Sequence, residues 1–299
     1  MENLTVCPIC GSGDFENYLT VRDYFFSEEE FSIVKCSGCG FKFTNPRPAK
    51  NEIEKYYNTN EYLSHDTEKN DPITLIYRTI RDINIRSKFN LVKRYSTGYN
   101  LLDIGCGTGE FIQYCEKNGY IVNGIEPNEK ARKHALDNNG IPVFDESHLD
   151  DEQDAGKDVV TLWHVIEHVH DLNERMKQIH RLLKKEGTLI IAVPNNNSPD
   201  CRKYGRLWAA WDVPRHLYHF ETSTMKHLAE NYGFEIRKII PMRWDAYYVS
   251  MLSEKYRKGK NDLWNAFWAG SWSNYKARKE NLNYSSLVYI IKRKKSKNQ

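Results

Sequence analysis

From position 99 onward, short apolar runs alternate with stretches in which apolar residues recur every three or four positions. Runs at 100–104, 120–125, 141–144, 158–162 and 188–193 predict strands, and the stretches at 110–118, 128–138 and 172–184 predict helices. Alternation of this kind predicts an α/β fold, a parallel sheet with helices on both faces. Ahead of it, Ile73, Ile76, Tyr77, Ile80, Ile83, Leu91, Val92 and Tyr95 keep helical spacing over 72–95, and Gly98 closes the segment. Beyond it come a helix at 223–231, a strand at 234–240, helical patterns at 245–256 and 263–275, and a last strand at 286–291. On the second of those helical patterns Trp264, Phe267, Trp268 and Trp272 predict core packing, with a dimer face or a cleft wall as alternatives.

The loop after the first strand carries the candidate chemistry. Asp103-Ile104-Gly105-Cys106-Gly107-Thr108-Gly109 ends an apolar run with an acid and three alternating glycines before a helix, which is where open α/β sheets bind ligands. The dinucleotide fingerprint G-x-G-x-x-G is not met, because Glu110 stands at the required third glycine. Asp103 suits a cationic ligand better than a pyrophosphate, which a carboxylate repels. Glu126 ends the second strand of the pattern, 21 residues after Gly105, where an acid reaches ribose hydroxyls.

Together, Asp103, the three glycines and Glu126 resemble the first motifs of class I S-adenosylmethionine-dependent methyltransferases, and the similarity extends over most of the chain. It implies a Rossmann-like sheet and S-adenosylmethionine as methyl donor. By position, Gly105, Gly107 and Gly109 would pass under the methionine part, Glu126 would hold the ribose, and Ser147, His148 or Leu149 would border the adenine.

Two C-x-x-C-G knuckles, Cys7/Cys10 and Cys36/Cys39, stand apart from the scattered Cys106, Cys115 and Cys201. Paired knuckles predict a four-thiolate structural zinc, with disulfides or a redox pair as alternatives. Phe15, Tyr18, Tyr24, Phe25, Phe26, Phe31 and Ile33 between them would form a small core dependent on the metal. Some relatives in the family, including sugar C-methyltransferases, have a similar zinc-bearing N-terminus joined by a tyrosine-rich segment near the substrate cleft. That resemblance implies substrate contacts for Tyr56 and Tyr57, and Tyr62 belongs to the same segment; ordinary packing is the alternative for all three.

His164-Val165-Ile166-Glu167-His168 matches the inverted zinc-protease pattern, yet it follows a buried strand instead of lying on a helix. The family resemblance explains it better, with Trp163 and His164 bordering the cofactor cleft. Residues 194–221 form a long insertion after the fifth strand of the pattern, expected to act as a substrate lid. There His216, then His219, is the candidate proton acceptor, with packing as the alternative for each; Asp212 would orient it, Arg215 would hold an acceptor carboxylate or phosphate, and Asn195 and Tyr218 would face the substrate.

The expected organisation is a zinc-ribbon-like subdomain at 1–45, a linker and helix at 46–98, and a methyltransferase domain at 99–299 with a helical insertion at 243–281. With 299 residues, 40% hydrophobic and 28% charged, the chain can bury one sizeable core plus an appendage. Net charge is +3, but Lys292, Arg293, Lys294, Lys295 and Lys297 contribute five cations, expected as a solvated tail, and the rest sums to −2. The N-terminus lacks a basic stretch followed by a long apolar run, so membrane insertion and export are not expected and a cytoplasmic location is. The function expected is methyl transfer to a small-molecule acceptor, a sugar or sugar nucleotide, by a monomer or homodimer. The alternatives are an RNA or protein methyltransferase that uses the ribbon for recognition, and a zinc-dependent binding protein with a dead cofactor site. Asp14, Glu16, Asp23, Glu28, Glu29 and Glu30 make the ribbon acidic and disfavour nucleic acid.

Overall fold

A computed structural model describes residues 1–57 and 72–295, with the backbone alone over 72–80. In chain order the strands are β1 (Phe15–Arg22), β2 (Glu30–Cys36), β3 (Lys42–Thr44), β4 (Asn100–Ile104), β5 (Ile121–Ile125), β6 (Val143–Phe144), β7 (Lys157–Trp163), β8 (Leu183–Pro194), β9 (Tyr218–His219), β10 (Phe234–Met242) and β11 (Ser286–Arg293). The helices are α1 (Pro72–Tyr95), α2 (Glu110–Lys117), α3 (Glu129–Asn139), α4 (His148–Asp151), α5 (Leu172–Leu182), α6 (Pro199–Tyr204), α7 (Thr222–Asn231), α8 (Asp245–Lys258) and α9 (Leu263–Lys279).

Seven strands form the main sheet in the order β10-β11-β8-β7-β4-β5-β6, in which β11 alone runs against its neighbours β8 and β10. The apolar runs read as strands because β4, β7 and β8 are covered on both faces. The pleat then sorts their side chains. Leu102, Val160 and Leu189 lie in register and enter one core with α5 and α7, while Leu101 and Val159 turn to the other core with α1 and α2. The chain winds from β4 outward to β6 and then returns to β7 on the opposite side of β4, so a topological switch point lies between β4 and β7.

A second sheet joins the N-terminal segment to the middle of the chain. Its order is β1-β2-β3-β9, so the N-terminal ribbon is completed by two residues of the 194–221 insertion. Lys42 pairs with His219 and Phe43 with Tyr218, and the Thr44 N–H donates to the Leu217 carbonyl at 3.0 Å. The core expected to belong to the ribbon alone is shared: Phe31 and Ile33 pack with Trp208, Trp211 and Val249, whereas Tyr18, Tyr24 and Phe26 are exposed. Lys292 and Arg293, expected in a solvated tail, are strand residues whose side chains cap the carbonyls of Glu186 and His180. Tyr62 lies outside the described residues.

Candidate active site and metal centre

The carboxyl ends of β4, β5 and β7 open onto one crevice. Gly105 must be glycine, since a Cβ there would lie 2.3 Å from Val165 Cγ2 and its φ is +74°. Gly107 (φ +56°) opens onto free space, with nothing within 4 Å of a built Cβ. Its N–H donates to Glu126 Oε2 at 3.0 Å, and the Asn128 N–H donates to Oε1 at 2.9 Å. Two main-chain amides thus aim the carboxylate and leave each oxygen a further lone pair. Burial still raises the Glu126 pKa above the usual carboxylate range despite those bonds.

Asp103 sits beneath the loop, 2% exposed, accepting from the Thr161 hydroxyl at 2.5 Å. Burial pushes its carboxyl up to about 7, against the Thr161 hydroxyl and the Lys88 ammonium, which favour the charged form. Lys88 was not foreseen. It reaches in from α1 and lies 5.1 Å from the Trp163 ring and 5.9 Å from the Phe111 ring. Trp163 ends β7 edge-on to Phe111, with a buried Nε1 that has no hydrogen-bond partner among the described residues. At the third strand end Ser147 bonds to Asp145, and His148 stacks on Phe144 at 3.9 Å between centroids.

His164 follows β7 with φ +58° and is held by two acids, Glu167 at 3.4 Å from Nδ1 and Asp245 at 3.2 Å from Nε2. Burial works against its charge, but these acids prevail and push it up to about 10. His164 and His168 share no helix, since Ile166–His168 is a single 3-10 turn, so the protease geometry is absent. His168 and His216 instead pack edge-on, ring centroids 4.6 Å apart and planes at 74°. Each aims Nδ1 at a main-chain carbonyl, Arg215 O at 3.0 Å and Ala210 O at 2.9 Å, which leaves the lone pair on Nε2. Burial and the neighbouring His216 lower His168 to about 4, so it is neutral at pH 7. The Tyr57 hydroxyl lies 2.9 Å from His168 Nδ1, which places that tyrosine at the histidine pair.

The other sequence candidates lie elsewhere. Tyr56 is buried and donates to Glu29 Oε2 at 2.8 Å. Arg215, 3% exposed, is engaged by Asp212 at 2.6 Å and Asp23 at 3.0 Å and covers the Phe25 ring at 4.6 Å. Its fork joins the insertion to the ribbon. His219 is buried 3.2 Å from Thr44 Oγ1, and since that hydroxyl donates to His216 O, His219 Nε2 is the donor. Burial holds its pKa well below the usual histidine range. Tyr218 donates to His170 O and accepts from Arg47, both at 2.8 Å. Asn195 is buried and donates to Tyr284 O at 3.0 Å. Residues 194–221 are therefore a packed wedge between the two sheets, with Trp208 and Trp211 inside it.

At the far side of the ribbon, the sulfurs of Cys7, Cys10, Cys36 and Cys39 lie within 4.8 Å of one another. The pairs Cys7/Cys39 and Cys10/Cys36 stand 3.6 and 3.5 Å apart, against about 3.8 Å for thiolates around a tetrahedral zinc.

A family model described as a methyltransferase domain matches residues 77–239. Among curated relatives, the ubiquinone biosynthesis O-methyltransferase of Vibrio campbellii is 34% identical over 107 residues, 33% of this chain and 46% of that protein. The match thus spans less than half of the Vibrio protein. The protein of that name from Pseudomonas paraeruginosa is 27% identical over 185 residues, 56% of this chain and 79% of its own. A solved complex of the Haloferax volcanii Trm112 methyltransferase activator with a methyltransferase aligns with TM-score 0.50 and 14% identity, covering 73% of this chain and 93% of that one, a likeness of fold. With the family model covering more than half of its length, and with the glycine loop and Glu126 inside the match, the chain belongs to the methyltransferase-domain family.

Proposed function

We propose that this chain transfers a methyl group from S-adenosylmethionine to a small-molecule acceptor, a sugar or sugar nucleotide, with a structural zinc in its N-terminal ribbon. The observation that carries the reading is the crevice itself: Glu126 aimed by two amides, Gly107 opening onto free space, and buried Asp103 below. These residues fit the donor, since Glu126 would accept ribose hydroxyls and Asp103 would favour a cation. When bound, the donor supplies an electrophilic methyl on a sulfonium. The chain's task is to align the acceptor, exclude water and take up a proton.

His216 is the proposed proton acceptor, at Nε2, because its Nδ1 is committed to Ala210 O. His168, neutral beside it, and Tyr57 would line the acceptor side. The four clustered thiols fit zinc, and with four protein ligands the metal would have no open position for chemistry. A ribbon whose β3 edge is tied into the main domain through β9 favours the small-molecule reading over a separate recognition module for RNA or protein.

Calorimetric titration of zinc-loaded protein with S-adenosylmethionine should give heat at one site per chain, and its absence would sink the proposal. His216→Ala should then lower turnover by roughly 10²–10⁴-fold with donor affinity unchanged. Equal loss of both would show that His216 supports the fold instead.

A further inference from the structure

The α8–α9 hairpin reverses the usual arrangement of a helix in water. The buried side of α9 consists of Ala266, Ala269, Gly270, Ser273 and Ala277. A Cβ on Gly270 would lie 2.7 Å from Tyr247 Cδ1 and 3.0 Å from Tyr247 Cα, so α9 meets α8 nearly backbone to backbone. The bulk points outward, correcting the core packing expected from the sequence: Leu263, Trp264, Phe267 and Trp268 are 67%, 71%, 53% and 56% exposed. Trp272 and Tyr275 are exposed as well, and Trp244 continues the surface at the start of the hairpin. Helices that face water place their large apolar residues toward a core, and this one does the opposite.

Cations share the aromatic face. Lys203 and Lys276 lie 5.5 and 5.4 Å from the Trp272 ring, and Lys279 lies 4.5 Å from the Tyr275 ring. Residues 243–280 contain eight basic and four acidic side chains. All four acids are engaged: Asp245 with His164, Glu254 with Arg257, Asp262 with Lys258 and Glu280 with Arg202. The face thus offers aromatic bulk ringed by positive charge.

We infer that this hairpin rests on an anionic lipid surface, with Trp264, Phe267 and Trp268 seated at the headgroup level and Lys203, Lys276 and Lys279 against the phosphates. Tryptophan favours that layer, where its ring is buried and its N–H stays hydrated. Binding of such a helix draws on apolar area and on attraction to anionic lipids together. A second copy of the chain suits the face less well, because a two-fold contact would set these cations against their own copies with every acid of the hairpin already engaged. No helix among the described residues is long and apolar enough to cross a membrane, so the contact lies along the surface. Asp245, the first residue of α8, grips His164, and the lipid face therefore adjoins the crevice.

The full chain should sediment with vesicles of equal parts phosphatidylcholine and phosphatidylglycerol and not with phosphatidylcholine alone, and added salt should weaken the binding. Trp264→Ser combined with Trp268→Ser should lower the partition coefficient at least tenfold with the melting temperature unchanged. Lys276→Gln and Lys279→Gln should each lower it about fivefold, and these exposed positions keep the test open if the tryptophan variant folds poorly. Absence of binding to the anionic vesicles would overturn the inference, as would equal binding by wild type and the lysine variants. So would a concentration-dependent dimer in analytical ultracentrifugation that the tryptophan variant abolishes, since the face would then be a self-contact. None of these readouts depends on methyl-donor binding.

Discussion

Asp103 carries the clearest pH signature. Its folded value of about 7 stands above the unfolded one, so stability linked to the neutral acid is fully present below about pH 4 and is lost as pH rises through 7. Three units correspond to at most about 4 kcal/mol. Denaturant melts should therefore show Asp103→Asn gaining on wild type between pH 5 and pH 8. The same charge should help a cationic donor, so its affinity should rise through pH 7 more steeply in the wild type than in Asp103→Asn. These residues were legible in the sequence because a glycine loop and its acids are local: the positive φ of the turn already calls for glycine at 105, before Val165 closes over it, and the strand end places Glu126. Lys88 and Asp245 were not legible. Each sits at a polar position of a helix, and only the packing of α1 and α8 against the sheet turns such a position into part of a crevice.

At the scale of elements, strands and helices of the main domain followed from periodicity, while β9 could not. Two residues of strand have no period to detect, and His216, Tyr218 and His219 read as loop chemistry when two of the three are ladder residues. The consequence falls on the ribbon. Because its core is shared with the wedge, metal removal should be felt beyond residues 1–45. Chelation should release about one zinc per chain, lower the melting temperature and raise hydrogen exchange in β9 as well as in β1–β3. Protection unchanged in β9 after zinc loss would show that the wedge holds itself. The outward tryptophans of α9 mark the opposite failure: the spacing was right, but spacing identifies a stripe without saying which side of the helix finds a partner.

In the whole molecule, Arg215 between Asp23 and Asp212 is a charged joint of ribbon and wedge, with both Arg215 and Asp23 almost fully buried. Removing one side of such a pair leaves a buried charge, which costs roughly 3–5 kcal/mol. Asp23→Ala should therefore lower unfolding free energy by about that amount in urea, and a loss under about 1 kcal/mol would mean that Asp212 alone suffices. The joint is also long in sequence. Thr44 and His219 touch across a sequence separation of 175, and β3 finds its last partner only there. At roughly 5–20 residues per second on the ribosome, that separation amounts to about 9–35 seconds of synthesis. The ribbon therefore leaves the ribosome well before the strand that completes it, and its β3 edge has to stay unpaired until residue 219 arrives.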